Sequence, residues 1–302
     1  MKLKTLPLLI STLIAAQAFA ATDEVIVTGT YSPVTSEQLA SSVTVISQEQ
    51  LAALSSHSLV DALRQVPSIW VEEQGGPGGL TAIALRGAEA NHTLVLLDGV
   101  QLNDPTNTRG GAFDVNNINI DSVKRIEIIR GAQSAIYGSD ALAGVIHIIT
   151  VEPTKTAQTN LSVAAGEDGY KTASITSTGS FNDVGYAIKL QSKDAGEPVE
   201  GSSAENKEAL IKLDWKQDAH SVDFSYRYFD GEKTTFPEQS GGSLFAKLRD
   251  LDRSDFTDQN ALANLRLRSR STQGEKPWTT KPSARSAAAP GDRATRTGGP
   301  TR

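Results

Sequence analysis

Between residues 155 and 267 apolar and polar side chains alternate with a period of two. Val222, Phe224, Tyr226 and Tyr228 fall on one side of the chain, with Asp223, Ser225 and Arg227 on the other. Ala209, Ile211, Leu213 and Trp215 alternate with Glu208, Lys212 and Asp214, although Leu210 interrupts the polar side. Tyr186, Ile188 and Leu190 flank Ala187 and Lys189, and Ala261, Ala263, Leu265 and Leu267 flank Asn264 and Arg266. Neighbouring side chains of a strand point to opposite faces, so the pattern predicts five or six antiparallel strands, each with one apolar and one polar face. A soluble sheet with one wet face has this pattern. So does a membrane barrel, apolar outside and polar inside. Periodicity alone leaves both readings open.

The first half of the chain reads differently. Residues 43–46 form a strand candidate, and Ser47 with Gln50 has the capping-box spacing that starts a short helix through Leu54. A second helix is expected over residues 58–65, ending before Pro67. Short strands are expected over residues 69–73, 82–86, 93–97, 125–130 and 145–150, and Asp98-Gly99 is a hairpin turn signal. Together these predict an α+β domain of roughly 130 residues, an ordinary domain size.

Residues 1–20 carry the marks of a secretory signal: Lys2 and Lys4, an apolar core, and an Ala18-Phe19-Ala20 cleavage site. The core is too short to span a bilayer as a helix. The chain has no cysteine, which removes disulfides, thiol nucleophiles and thiolate metal sites. Its net charge of −6 is uneven, because residues 266–302 hold 9 Lys+Arg against 2 Asp+Glu. The acidic remainder argues against nucleic-acid binding. From Leu267 the alternation gives way to an Arg/Ala/Pro/Gly-rich tail. A change of reading frame near Arg268 accounts for the charge reversal and for a strand cut mid-pattern; a natural disordered tail is the alternative.

Candidate chemistry is sparse. The four histidines, His57, His92, His147 and His220, show no metal-ligand spacing. No nucleophile and base converge in the pattern, so an exported hydrolase lacks support. The glycine run from Gln74 to Gly79 is followed by a strand candidate and not by a helix, which excludes a dinucleotide fingerprint. Residues 23–29 (DEVIVTG) form a β-prone segment with no evident local partner, suited to strand addition onto another protein's sheet edge. Its alternative role is the first strand of the α+β domain.

Specific motifs then recur in a fixed order: Arg86-Gly87, Leu96-Leu97-Asp98-Gly99-Val100, Arg125-Ile126-Glu127, Arg130-Gly131, Tyr137-Gly138 and Ala143-Gly144-Val145-Ile146. In this order and spacing the chain from residue 23 to 265 resembles the plug and early barrel of TonB-dependent outer-membrane receptors. The resemblance implies residues 21–35 as TonB box and linker, 36–152 as an α+β plug domain, and 153–267 as the first strands of an antiparallel transmembrane β-barrel, incomplete in this chain. It implies a monomer in outer-membrane lipid that imports a bulky micronutrient, with no chemistry on the substrate.

Site residues follow from the same resemblance. Asp23, Glu24, Val25, Ile26, Val27, Thr28 and Gly29 correspond to the TonB box, which makes TonB the expected partner. Gln74, Gly75, Gly76 and Gly78, with Asn103, Asn107 and Arg109, lie in the two apical loops that face substrate. Arg86, Glu127 and Arg130 are expected to link the plug to the barrel wall. The runs RGAEANHTLVLLDGVQLND and YGSDALAGVIHIIT are most similar to the cobalamin branch, with ferric-siderophore and haem receptors as the alternative. No cofactor is expected. Calcium, which cobalamin transporters hold with clustered aspartates, is not carried over, because Asp194, Glu197, Glu200 and Glu205 form no aspartate cluster. A free-standing periplasmic binding module and a shortened, non-transporting product are the remaining readings.

Overall fold

The computed structural model describes residues 26–27, 34–35, 41–54, 58–73, 79–104, 111–217, 220–235 and 252–267. The chain separates into two compact units, residues 1–40 and 41–302. In the first, strand β1 (Ile26–Val27) pairs antiparallel with β2 (Val34–Thr35). The segment expected to lack a local partner thus has one over two residues. Asp23, Glu24, Val25, Thr28 and Gly29 lie outside the described residues, as do the signal segment and the tail from residue 268.

The second unit begins with an α+β domain. Its elements are β3 (Ser42–Ser47), α1 (Gln48–Ala53), α2 (Leu59–Arg64), β4 (Ile69–Glu73), β5 (Thr81–Leu85), β6 (Thr93–Leu97), β7 (Val100–Gln101), β8 (Val123–Arg130), α3 (Ser134–Tyr137) and β9 (Gly144–Thr150). The expected capping box is formed: Ser47 Oγ accepts from Gln50 N at 3.3 Å, and Gln50 Oε1 accepts from Ser47 N at 2.9 Å. Ser58 caps α2 without the reciprocal bond: its Oγ accepts from Asp61 N at 3.1 Å and donates to Asp61 Oδ2 at 2.8 Å. Strands β3-β8-β9-β6-β7 form one sheet in that order, parallel only between β6 and β9, while β4 and β5 pair separately. Leu59, Val60, Ala62 and Leu63 of α2 pack with Val95, Leu97, Ile126, Ile128, Ile146 and Ile148 to make the main core. Ile126, Ile128, Ile146 and Ile148 are fully buried, so this face is held by exclusion of apolar surface from water. Asp98 and Gly99, at φ 50° and 91°, make the tight β6–β7 turn, a backbone that Asp tolerates and glycine adopts freely.

Six longer strands follow: β10 (Gln158–Ala165), β11 (Lys171–Phe181), β12 (Val184–Asp194), β13 (Ser203–Gln217), β14 (His220–Thr235) and β15 (Asp252–Leu267). Each pairs antiparallel with the next, giving an open six-stranded meander. At one end the connections are two residues long, at 182–183 and 218–219; at the other they span 166–170, 195–202 and 236–251.

Register sorts the two faces. Leu161, Ile175 and Leu190 align with Ala209 and Tyr228 across five strands, and Ile188, Ile211, Tyr226 and Ala261 form the adjacent row. This face is exposed, with Leu161 at 75% and Leu190 at 51%. The opposite face carries Lys189, Gln191, Glu208, Lys212, Arg227 and Lys233, all buried. A sheet that exposes its aliphatic rows and buries its charges is inverted relative to a soluble protein. Such an arrangement suits a strand wall with lipid outside and polar groups inside.

Candidate functional site

The buried charges of the meander meet the α+β domain along one seam. On β13, alternate residues 208, 210 and 212 each dock a different part of it. Lys212 Nζ donates to Asp98 Oδ1 at 2.6 Å and to the Thr150 carbonyl at 3.2 Å. Asp98 also accepts from Thr150 N and Thr150 Oγ1, at 2.9 and 2.7 Å, so the β6–β7 turn is locked to the end of β9. Leu210, the residue that interrupts the polar alternation, is fully buried and packs with Val151 and Ala187. The interruption is therefore an apolar contact between two ionic ones.

Glu208 stands at the centre. Its carboxylate accepts from Arg227 Nε at 2.6 Å, Asn119 Nδ2 at 3.0 Å and the Ser122 hydroxyl at 2.5 Å. Arg227 donates through Nη2 to the Asn117 carbonyl and lies 4.5 Å over the Phe229 ring, a cation–π geometry. Nearer the end with long connections, Lys233 Nζ donates to Asp114 Oδ2 and Asn117 Oδ1, both at 2.6 Å. Gln191 of β12 reaches Asp121 at 3.2 Å. Ion pairs removed from water hold only when their remaining hydrogen-bonding positions are filled. Along this seam Glu208, Asp98 and Asp114 have theirs filled, whereas Arg227 Nη1 and Gln191 Oε1 are buried without a hydrogen-bond partner.

A second polar cluster lies within the α+β sheet. Glu127, fully buried, accepts from Arg125 Nε at 2.9 Å and has His147 Nδ1 at 3.6 Å. Arg130 donates to Ser68 Oγ, Thr44 Oγ1 and the Pro67 carbonyl. Burial and the neighbouring positive charge of Arg86 lower the Arg130 pKa, but a guanidinium remains protonated. Arg86 is exposed at φ 54°, where the strand turns into Gly87.

Three charges were expected to join domain and wall. The partners of Glu127 and Arg130 given above lie within the domain, and bonds from the domain to the meander are made by Asp98, Asp114, Asn117, Asn119, Asp121, Ser122 and Thr150. Sequence reasoning placed Lys212, Glu208 and Arg227 on the inward face but did not find their partners, which lie 62 to 114 positions away in Thr150 and Asp98 for Lys212 alone. Of the residues expected near substrate, Gln74, Gly75, Gly76, Gly78, Asn107 and Arg109 lie outside the described residues. Asn103 is described: it accepts from Val95 N at 2.8 Å and donates to the Thr93 carbonyl at 3.0 Å, continuing the β6 edge with its side chain. Asp194 and Glu197 accept from Gly196 N and Gly201 N, each bracing its own loop. Among the described residues, no three His, Cys, Asp or Glu side chains gather at a metal-sized site.

The profile of the TonB-dependent Receptor Plug Domain family matches residues 35–145. This segment is a plug domain of the TonB-dependent receptor family. The vitamin B12 transporter BtuB of Vibrio vulnificus strain CMCP6 is 35% identical over 175 residues, covering 58% of this chain and 28% of that protein. BtuB of strain YJ016 is 34% identical, with 27% of its length covered. The chain thus spans under a third of the curated relatives it matches. Among solved structures, the ferric yersiniabactin uptake receptor FyuA of Yersinia pestis superposes with a TM-score of 0.62 at 17% identity, over 76% of this chain and 39% of that one. The siderophore receptor PiuA of Acinetobacter baumannii gives 0.60 at 20% identity, over 79% and 35%. At these identities the structural likeness shows the fold: a plug followed by antiparallel wall strands. The seam described above is accordingly the contact between plug and wall.

Proposed function

We propose that this chain is the plug and early wall of an outer-membrane, TonB-dependent receptor that imports a bulky micronutrient, cobalamin in the first place. One observation carries the reading: the plug sits on the polar, buried face of a strand wall whose other face is apolar and exposed. An apolar face of this kind belongs in lipid. Sidedness follows from the connections, since such barrels have short periplasmic turns and longer outer loops. The ends of β11 and β13 then face the periplasm, and the connection at 195–202 faces outward.

Support for cobalamin comes from the similarity to BtuB, which reaches 35% identity. A ferric chelate is the second reading, favoured by the siderophore receptors among the structural relatives. In this account Gln74, Gly75, Gly76, Gly78, Asn103, Asn107 and Arg109 meet the ligand, and TonB pairs with residues 23–29. The β1–β2 pairing must open for that strand addition. The test is binding of radiolabelled cyanocobalamin to outer membranes carrying the protein, and its uptake with and without TonB. Saturable binding with uptake that falls to background without TonB is expected. Growth on a ferric siderophore without cobalamin binding would replace the ligand, and neither activity would overturn the transport reading.

A further inference from the structure

Resting on the receptor reading above, we propose that Asp114 is a positioning residue that couples the outward end of the plug to the end of wall strand β14. Its carboxylate joins three chain segments. Oδ1 accepts from Thr81 Oγ1 at 2.5 Å and from Asn116 N at 3.0 Å; Oδ2 accepts from Lys233 Nζ at 2.6 Å. Thr81 opens β5, is 1% exposed, and its hydroxyl accepts in turn from Val115 N at 3.0 Å. Lys233 stands two residues before the end of β14 and also holds Asn117.

Placement gives the junction its use. Thr81 lies just after the first apical loop of the plug, and Asp114 lies just after the second. Lys233 lies just before the connection at 236–251. Movement at any of these three loads the bonds of one buried carboxylate, with the Lys233–Asn117 and Val115–Thr81 bonds running beside it. Ionised acceptors make shorter and stronger hydrogen bonds than neutral ones, so the joint is stiff. Only a carboxylate serves here. An amide at 114 would turn an NH₂ group either to Lys233 Nζ or to Asn116 N, and both of these can only donate. Asp114 and Lys233 both act electrostatically on Asp258, as do Arg227 and Asp104, so the junction lies among charges of both signs.

Hydrogen–deuterium exchange of the full receptor in detergent tests this. Peptides spanning residues 79–85, 111–118 and 228–235 are followed in wild type, Asp114→Asn, Thr81→Val, Lys233→Met and Lys233→Arg. In Asp114→Asn and Lys233→Met all three segments should exchange faster, by about tenfold, as expected for loss of a charge-assisted bond. Lys233→Arg should keep most of the protection, and β8 and β9 should keep theirs throughout. Faster exchange confined to the altered segment would overturn the proposal. Should Asp114→Asn unfold the plug, Thr81→Val, which removes one hydroxyl and keeps shape, reads the same coupling. Added cyanocobalamin should protect the three segments together. Coupled exchange without cyanocobalamin protection refutes the ligand and leaves the junction standing; cyanocobalamin binding with uncoupled exchange refutes the junction alone.

Discussion

Glu208→Ala should destabilise the chain by about 3–5 kcal/mol, the range for removing one partner of a buried ion pair. Arg227 has 2% of its side chain exposed and Glu208 none, so water cannot replace the lost carboxylate. Arg227 would keep the Asn117 carbonyl, the Phe229 ring and the charge of Asp258, while Ser122 would lose its acceptor and Asn119 would keep Asn206 Oδ1. Replacing both partners, as in Glu208→Leu with Arg227→Leu, should recover much of the loss, because two matched apolar groups carry no desolvation debt. Denaturant titration in detergent of wild type, Glu208→Leu, Arg227→Leu and the pair measures this as a double-mutant cycle, with Glu208→Ala titrated beside them. A single-mutant loss below about 1 kcal/mol, the size of an exposed pair, would show that water reaches the seam.

Gly144→Ala should cost about 3 kcal/mol or more, combining backbone strain with overpacking. Gly144 opens β9 opposite Arg130 at φ 153°. A Cβ there would lie 2.2 Å from the Ile129 carbonyl oxygen and 2.9 Å from Leu85 Cδ1. The carbonyl belongs to the paired strand and cannot move without breaking the ladder between β8 and β9. Gly87→Ala is the contrasting control. It has φ 75° and open space around the new methyl group, so it should cost only about 1–2 kcal/mol of left-handed strain. Comparing thermal midpoints of the two variants separates the clash from the strain.

Much of this fold was legible in the sequence because local rules determine it. Ser47 and Gln50 announce the start of α1, Asp98-Gly99 announces a hairpin, and the alternation from Tyr186 to Leu190 announces a two-faced strand. Misses occurred where local rules are silent. β10 reads QTNLSVAA, with too few large apolar residues to show its period, and the four residues of α3 carry no helical repeat. Boundaries shifted slightly for a similar reason: β5 begins at Thr81 because that residue belongs to the ladder, although its side chain is polar. Leu210 read as a flaw in the polar face, since its apolar partner Val151 is distant in sequence. The charged partners were the least legible. Lys212 and Asp98 are 114 positions apart, and nothing in either neighbourhood selects the other. The seam with the six meander strands adds polar side chains between residues 98 and 122 to Arg86, Glu127 and Arg130, the charges to which the resemblance points.

The central claim is that the meander is a membrane wall with the plug on its inner face. The chain contains no cysteine of its own, so single cysteines introduced into it are the only labelling sites between residues 1 and 302. Labels at residues 187 to 191 of β12 in the full receptor, reconstituted in lipid, would be probed with oxygen and with a water-soluble relaxation agent. The account predicts period two: positions 188 and 190 open to oxygen, as lipid-facing sites are, and positions 187, 189 and 191 shielded from both agents by the plug. Equal access of the water-soluble agent to 188 and 190, or no alternation at all, would contradict it.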